Sequence, residues 1–187
     1  MTRHVIAIDP GLTGAIALLT DGELVEVVDM PTATTTKRKK GKTVTVNTLD
    51  VDRIVAIIDR LGYSLNLDHD HPLEFVIEAQ STRPGQAAQS VLKTGTGYGV
   101  LIGIAAMTGH PWHTIRPQEW KKEQGLSGIG AELKGAAKTR AIKTASRHLA
   151  AMRWPDHALL FARAKDDGRA EAALIGDAWL RMNGGAS

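Results

Sequence analysis

Carboxylate side chains stand at three well-separated places in this sequence, each in a setting where it can serve chemistry. Asp9 ends the apolar run "HVIAID", and Glu78 ends a second apolar run, "EFVIE". Glu171 stands alone on an alanine-rich helical pattern, and Asp167 precedes it by four residues, so on a helix both side chains lie on one side. Asp166 is the alternative to Asp167 at this position.

Convergence of these acids predicts a metal site. Like charges four residues apart on a helix repel by a few tenths of a kcal/mol, so a positive group is expected between Asp167 and Glu171. The chain has no cysteine, and oxygen ligands favour a hard cation such as Mg²⁺ or Mn²⁺. Two ions in one site would clamp a phosphodiester, one activating water and the other stabilising the leaving oxygen. The predicted catalytic set is Asp9, Glu78, Asp167 and Glu171, and the predicted metal ligands are these four and Asp166.

Most of these acids also have an ordinary structural explanation. Asp9 is typical of an Asp-Pro-Gly turn, and Glu78 of a solvated strand end. Asp166 or Asp167 would cap the last helix, where a carboxylate meets the positive end of the helix dipole. Glu171 has no such explanation, and the acids taken together favour a site.

Length and composition predict one globular domain spanning residues 1–187. Hydrophobic residues make up 43% and charged residues 23% of the 187 residues, which is typical of a folded domain with its own core. The absence of cysteine excludes disulfides and thiolate metal sites and fits a reducing compartment. No apolar stretch approaches the roughly 20 residues that span a bilayer. We therefore expect a cytoplasmic protein.

The positive charge of the chain is local. The segment "KRKKGK", Lys37–Lys42, holds five cations, more than the net charge of +3 of the whole chain. Such a cluster suits a polyanion such as nucleic acid, and the alternative is a solvated segment that aids solubility. We predict a basic loop at about 31–46 that is mobile or ordered only by a partner.

Hydrophobic periodicity and turn residues predict the elements that must position the acids. Three antiparallel strands lead the chain, two further strands follow, and helices fill the intervals. The first helix is expected to be capped by Asn47 or Thr48. Strands are predicted at 5–8, 14–19, 23–29, 74–79 and 112–115, and helices at 47–62, 84–107, from Pro117, 131–152 and 167–182. The predicted fold class is α/β, a mixed five-stranded sheet with helices on both faces.

Four motifs in this order resemble those of the RuvC-type Holliday-junction resolvases, and most closely the short phage-encoded members. The motifs are "IAIDPGLTGAIALL", "FVIEAQ", "IRPQEWKKEQGL" with Lys138 beyond it, and "KDDGRAEAALIG". The resemblance covers roughly residues 5–180 and implies an RNase H-like fold. It also implies a homodimer that cleaves branched DNA with two Mg²⁺ ions per site, leaving a 5′-phosphate and a 3′-hydroxyl. A phage-encoded protein would act in the cytoplasm of a bacterial host.

The same resemblance assigns roles by motif. Asp9 matches the first-strand acid that bridges both metals, Glu78 the fourth-strand acid, and Glu171 the last-helix acid. Many bacterial members carry a partner acid three residues before the last one, and that position is Gly168 here, so the role passes to Asp167. Lys121 and Lys138 fall where family lysines approach phosphates. The predicted DNA-binding set is Lys37, Arg38, Lys39, Lys40, Lys42, Arg83, Lys121 and Lys138.

The sequence departs from the pattern of the resembled family at a second position. The aromatic that many bacterial members carry after the strand-four glutamate is missing from "AQSTRPG", and the basic segment is the alternative means of binding a junction.

Two other functions are possible for these residues. One is a non-catalytic junction-binding protein, against which the four acids argue. The other is an actin-like phosphotransferase, because "IDPGLTGAIALL" is also similar to the phosphate loop of sugar kinases. That class needs a second such domain and a second Gly-rich loop, which this chain lacks.

Overall fold

A mixed five-stranded sheet forms the centre of the molecule. The computed structural model describes residues 2–39, 41–65, 73–82 and 85–184, with Lys39 described by its backbone alone. The described strands are β1 (His4–Asp9), β2 (Ala15–Thr20), β3 (Glu23–Asp29), β4 (Thr32–Lys39), β5 (Lys42–Leu49), β6 (Leu73–Glu78) and β7 (Trp112–Ile115). The sheet order is β3-β2-β1-β6-β7, and β4 pairs with β5 in a separate hairpin.

Helices cover both faces of this sheet. They are α1 (Val51–Ser64), α2 (Ala88–Met107), α3 (Pro117–Glu123), α4 (Gly135–Arg153) and α5 (Asp167–Asn183), with 3-10 turns at Pro155–Phe161 and Ala164–Asp166. One core contains α1 and α2, and the other contains α3, α4 and α5. The predicted fold class is therefore confirmed. No helix in the described ranges is long and apolar enough to cross a membrane.

Strand register brings two of the predicted acids together. β1 and β6 are parallel, with Ile8 opposite Ile77, so Asp9 and Glu78 follow at the same edge of the sheet. Side chains alternate between the faces of a strand, and the alternate residues Val5 and Ala7 belong to the core on the α5 side. Asp9 continues that alternation, and Glu78 does the same after Val76. Both acids therefore belong to the face that α5 covers.

Small residues allow α5 to approach this face closely. A Cβ on Gly176 would lie 2.4 Å from Leu19 Cδ1 and 3.0 Å from Ala7 Cβ. Near the start of α5, a Cβ on Gly168 would lie 2.2 Å from the Thr13 carbonyl oxygen. The helix is thus in backbone contact with the turn that follows β1, and this contact sets the position of its first turn.

Segment 31–46 differs from its prediction. We expected a basic loop without regular structure, and that prediction is wrong, since β4 and β5 pair over their whole length from Thr32↔Leu49 to Lys39↔Lys42. Threonine recurs in both strands and alternates with valine in β5, and both residue types favour strands. Gly41, at φ 76°, supplies the left-handed backbone of the connection.

Three helix starts also differ from prediction. Residues 47–49 complete β5, so α1 begins at Val51, and Asp50 caps it by accepting a hydrogen bond of 3.2 Å from the Arg53 amide. α2 begins at Ala88 and α4 at Gly135, each about one turn later than predicted. The predicted strands and the last helix are found, with ends shifted by one or two residues.

Substitution Gly168→Ala tests the contact between α5 and the β1–β2 turn. The added methyl group meets backbone atoms that cannot rotate away, so we expect a loss of about 2–3 kcal/mol in the free energy of unfolding. Gly95→Ala is the matched control, because Gly95 lies within α2 with open space around its Cβ position. We expect that variant to gain about 0.5–1 kcal/mol. Equal stabilities of the two variants in denaturant unfolding would contradict the contact.

Candidate active site

Asp9 and Glu78 form the strand side of the site. Asp9 Oδ1 accepts a hydrogen bond of 3.3 Å from the Gly11 amide in the turn after β1. Glu78 Oε1 accepts a hydrogen bond of 2.9 Å from the indole Nε1 of Trp120, a fully buried residue of α3. The amide of Gln80 donates to the other oxygen of Glu78 at 3.4 Å. Trp120 thereby limits the freedom of the Glu78 side chain.

The helix side of the site comes from the first turns of α5. Asp167 is 8% exposed, and Glu171 lies one turn further along, half-buried. The backbone contact of Gly168 with Thr13 holds this end of α5 against the turn that follows Asp9. An acid at position 168 would not fit there. The turn thus excludes a side chain at 168, while Asp167 is accommodated one position earlier.

The charges of these acids act on one another. Burial, and then the charge of Glu78, raise the pKa of Asp9 to about 6, with Asp167 adding to the rise. Burial, and then the charges of Asp9 and Glu78, raise the pKa of Glu171 to about 7. Mutual repulsion of this kind requires the acids of β1, β6 and α5 to stand close together. The structure thus brings Asp9, Glu78, Asp167 and Glu171 to one place.

Lys143 of α4 is the positive group among them. Its Nζ contacts Asp167 Oδ2, and its charge also acts on Asp9 and Glu171. Although burial opposes protonation, the contact with Asp167 raises the pKa of Lys143. The cation expected between Asp167 and Glu171 is therefore present.

The motifs did not reveal the role of Lys143. A signal for it exists in the sequence, because Lys143 lies three residues before Ser146 and seven before Ala150, the two buried residues of α4. A lysine on the buried stripe of a helix indicates an acid on the element packed against it.

Asp166 is paired with Arg163. Its carboxylate accepts hydrogen bonds from the Arg163 backbone amide at 2.8 Å and from the Arg163 guanidinium at 2.9–3.1 Å. These bonds lower the pKa of Asp166, which is 1% exposed. The expectation that Asp166 shares the metal site therefore has no support in its placement.

The predicted DNA-binding residues occupy two regions. Lys121 lies 4.8 Å from the centroid of the Trp120 ring, and its charge lowers the pKa of Glu171. Lys138 is exposed in the second turn of α4. The exposed Lys37, Arg38 and Lys42 belong to the β4–β5 hairpin, with Lys39 placed by its backbone. Lys40 and Arg83 lie outside the described residues.

The carboxylate oxygens of the site suit a hard divalent cation, but the side chains do not yet have the conformations that would bind one. All four acids offer carboxylate oxygens, the ligands that Mg²⁺ and Mn²⁺ prefer, and the raised pKa values of Asp9 and Glu171 indicate a deficit of positive charge. Within the described ranges, no three His, Asp or Glu side chains form a ready-made metal-binding group in these conformations. Glu78 is directed to Trp120 and Asp167 to Lys143. Holding an ion would require these side chains to reorient.

Comparisons with known proteins give structural likeness only. No family model matches the chain, and neither does any curated protein. The solved structure "T. thermophilus RuvC in complex with Holliday junction substrate" is 16% identical, with 98% of this chain and 97% of that chain covered, at a TM-score of 0.48. "Thermus thermophilus RuvC structure" is 18% identical, with 97% and 96% covered, at a TM-score of 0.43. At these values the likeness carries no inference about activity.

Substitution Lys143→Met tests the internal counter-charge. Removing the ammonium leaves the carboxylates uncompensated, so we expect a loss of about 1–2 kcal/mol in EDTA, less than for a fully buried pair because Lys143 is 40% exposed. We expect Mg²⁺ to restore more stability to this variant than to the wild type. Thermal unfolding with EDTA or Mg²⁺ measures both effects. Lys138→Met, an exposed lysine of the same helix, is the control, and equal losses in the two variants would contradict the role.

The raised pKa of Asp9 predicts a pH dependence with a definite sign. The folded-state pKa of about 6 exceeds the ordinary value of 3.8, so the folded protein binds more protons and Asp9 costs stability as pH rises from about 4 to about 6. In EDTA, the wild type should therefore lose stability relative to Asp9→Asn across that window.

Glu26→Gln is the comparison variant, because the pKa of Glu26 is shifted in the opposite direction to that of Asp9. The hydrogen bond from Arg60 lowers the pKa of Glu26, so its contribution is present above about 4.5 and is lost as pH falls. Denaturant unfolding at several pH values measures both differences. The cluster of acids would be contradicted if the difference in the free energy of unfolding between the wild type and Asp9→Asn stayed constant with pH.

Proposed function

We propose that this protein is an RNase H-like, RuvC-type endonuclease that hydrolyses phosphodiester bonds in four-way junctions and related branched DNA. The observation that carries the proposal is the convergence of Asp9, Glu78, Asp167 and Glu171, in which Asp9 and Glu171 have raised pKa values. Holding acids together against their repulsion costs stability, and a cation-dependent reaction gives a reason for that cost. The four motifs and their order support the same class.

The four carboxylates would hold two Mg²⁺ ions, with Mn²⁺ as the alternative. Bound there, the metal would activate water and stabilise the leaving oxygen of a phosphodiester. Asp9 is suited to a shared ligand, because its charge acts on Glu171 while those of Glu78 and Asp167 act on it. Trp120 positions Glu78 through its indole hydrogen bond. Lys121, part-exposed near Glu171, would contact a phosphate of the bound strand.

Selectivity for a four-way shape is best served by two copies of the chain. A symmetric junction offers two strands to cut, which suits a two-fold homodimer with one active site in each subunit. Helix α2 carries exposed apolar side chains, including Leu92 at 71% and Met107 at 87% exposure. We propose this helix face as the contact between the copies. Cations would supply affinity for phosphates, which falls with salt, while shape would supply specificity.

Neither rival function accounts for the site as well. A junction-binding protein without activity has no need of four converging acids. The actin-like alternative rests on one motif of the first strand and gives no role to Asp167 and Glu171 of α5.

Substitutions Asp9→Asn and Glu171→Gln test the proposal directly. We expect each to lower the rate of junction cleavage on the order of 10³-fold, as for members of a cooperating catalytic group, while junction binding is kept. Asp166→Asn is the matched control, because Asp166 stands beside the cluster but is bound to Arg163, and this variant should still cleave.

The assay uses a labelled four-way junction and a matched linear duplex, each with Mg²⁺ or with EDTA. Symmetric nicks on the junction alone, abolished by EDTA, are the expected result. Persistent cleavage by both acid variants would overturn the assignment of the site. Junction binding by the wild type without any cleavage would favour the non-catalytic rival.

A further inference from the structure

The β4–β5 hairpin, called here the basic hairpin (Thr32–Leu49), leaves the sheet at the edge where the acids stand. Asp29 at the end of β3 pairs with Ala15, and Ala15 pairs with Asp9. The hairpin follows within three residues of Asp29, and its base is closed by a hydrogen bond of 3.0 Å from the Asp50 amide to the Pro31 carbonyl. Leu49 packs against the core beneath it. The base of the ribbon is therefore fixed beside the proposed active site.

Beyond this base, the ribbon is exposed to solvent on both of its faces. Residues 34–38 and 41–45 are all exposed. No acidic residue occurs between Pro31 and Leu49, while lysine, arginine and threonine dominate. An exposed two-stranded ribbon with no apolar face buried has no structural reason of its own for this composition. Charge of one sign along it indicates an anionic partner.

The two faces of the ribbon offer different chemistry. Residues paired across an antiparallel ribbon share a face, so Lys37 and Val44 share a face with Lys42. The opposite face carries Arg38 beside Thr43, with the Thr36–Thr45 pair one step nearer the base. Ammonium groups suit phosphates, and arginine and hydroxyl groups suit phosphates and base edges alike.

The dimensions of the ribbon select the kind of anion. Eight residues in each strand at about 3.3 Å per residue give a length of about 26 Å, close to 8 base pairs of duplex at about 3.4 Å each. A two-stranded ribbon fits the major groove of B-DNA, about 12 Å wide, and not the minor groove, about 6 Å wide. We propose that the basic hairpin enters the major groove of the duplex arm next to the cleaved strand. The identity of that arm rests on the proposed nuclease function.

The first test measures the phosphate contacts of the ribbon. Lys37→Ser and Lys42→Ser together should lower the affinity for duplex and junction DNA and reduce the slope of log affinity against log salt by about 0.9 per lost contact. Arg181→Ser, at the opposite edge of the sheet, is the control and should leave the slope as in the wild type. A wild-type slope in the double variant would overturn the proposal.

The second test uses the absence of cysteine from the chain. Thr36→Cys introduces a single thiol on the ribbon, and Glu23→Cys introduces one at the opposite edge of the sheet as a control. Each variant is mixed with duplex DNA carrying a thiol tether in the major or the minor groove. Disulfide formation should favour Thr36→Cys with the major-groove tether. Equal cross-linking with both tethers, or with both variants, would overturn the proposal.

These outcomes separate the ribbon from the active site. If the wild type cleaves no branched DNA, the proposed nuclease function fails, whatever the hairpin variants do. If Asp9→Asn abolishes cleavage while the hairpin variants bind like the wild type, the nuclease function stands and the groove contact fails.

Discussion

Repulsion among closely placed carboxylates is the main physical constraint on the packing of this fold. Four acids from three distant segments meet at the carboxyl edge of the sheet, where burial and the charges of neighbouring acids raise the pKa values of Asp9 and Glu171. The fold offsets this with Lys143 of α4, whose ammonium contacts Asp167 and acts on Asp9 and Glu171. The charge of Lys121 also acts on Glu171, so two lysines oppose the repulsion among the four acids.

The strands and helices of the fold position these four acids. Parallel pairing of β1 and β6 puts Asp9 and Glu78 side by side, and strand alternation directs both to the face that α5 covers. Alanines and glycines at the interface let α5 approach until its first turn meets the β1–β2 turn. Trp120 then fixes Glu78 from a third element.

Local pattern was sufficient for the five-stranded sheet and the last helix, and it singled out the acids that the site hypothesis uses. Apolar runs ending in Asp9 and Glu78 are strong strand signals, and the spacing of Asp167 and Glu171 is meaningful on any helix. The hairpin was missed because a charge run masked the alternation of β-branched residues around it. Lys143 and the placement of Asp166 depend on how α4 and the turn at Arg163 pack against α5, and no short-range pattern encodes such tertiary contacts.

The backbone contact at Gly168 restricts which residues can occupy the first turn of α5. A side chain at 168 would need the space that the Thr13 carbonyl oxygen occupies, so a substitution there has to displace the β1–β2 turn. That turn follows directly on Asp9, and its Gly11 amide donates a hydrogen bond to the Asp9 carboxylate. The placement of Asp9 therefore depends on a glycine that carries no functional group of its own.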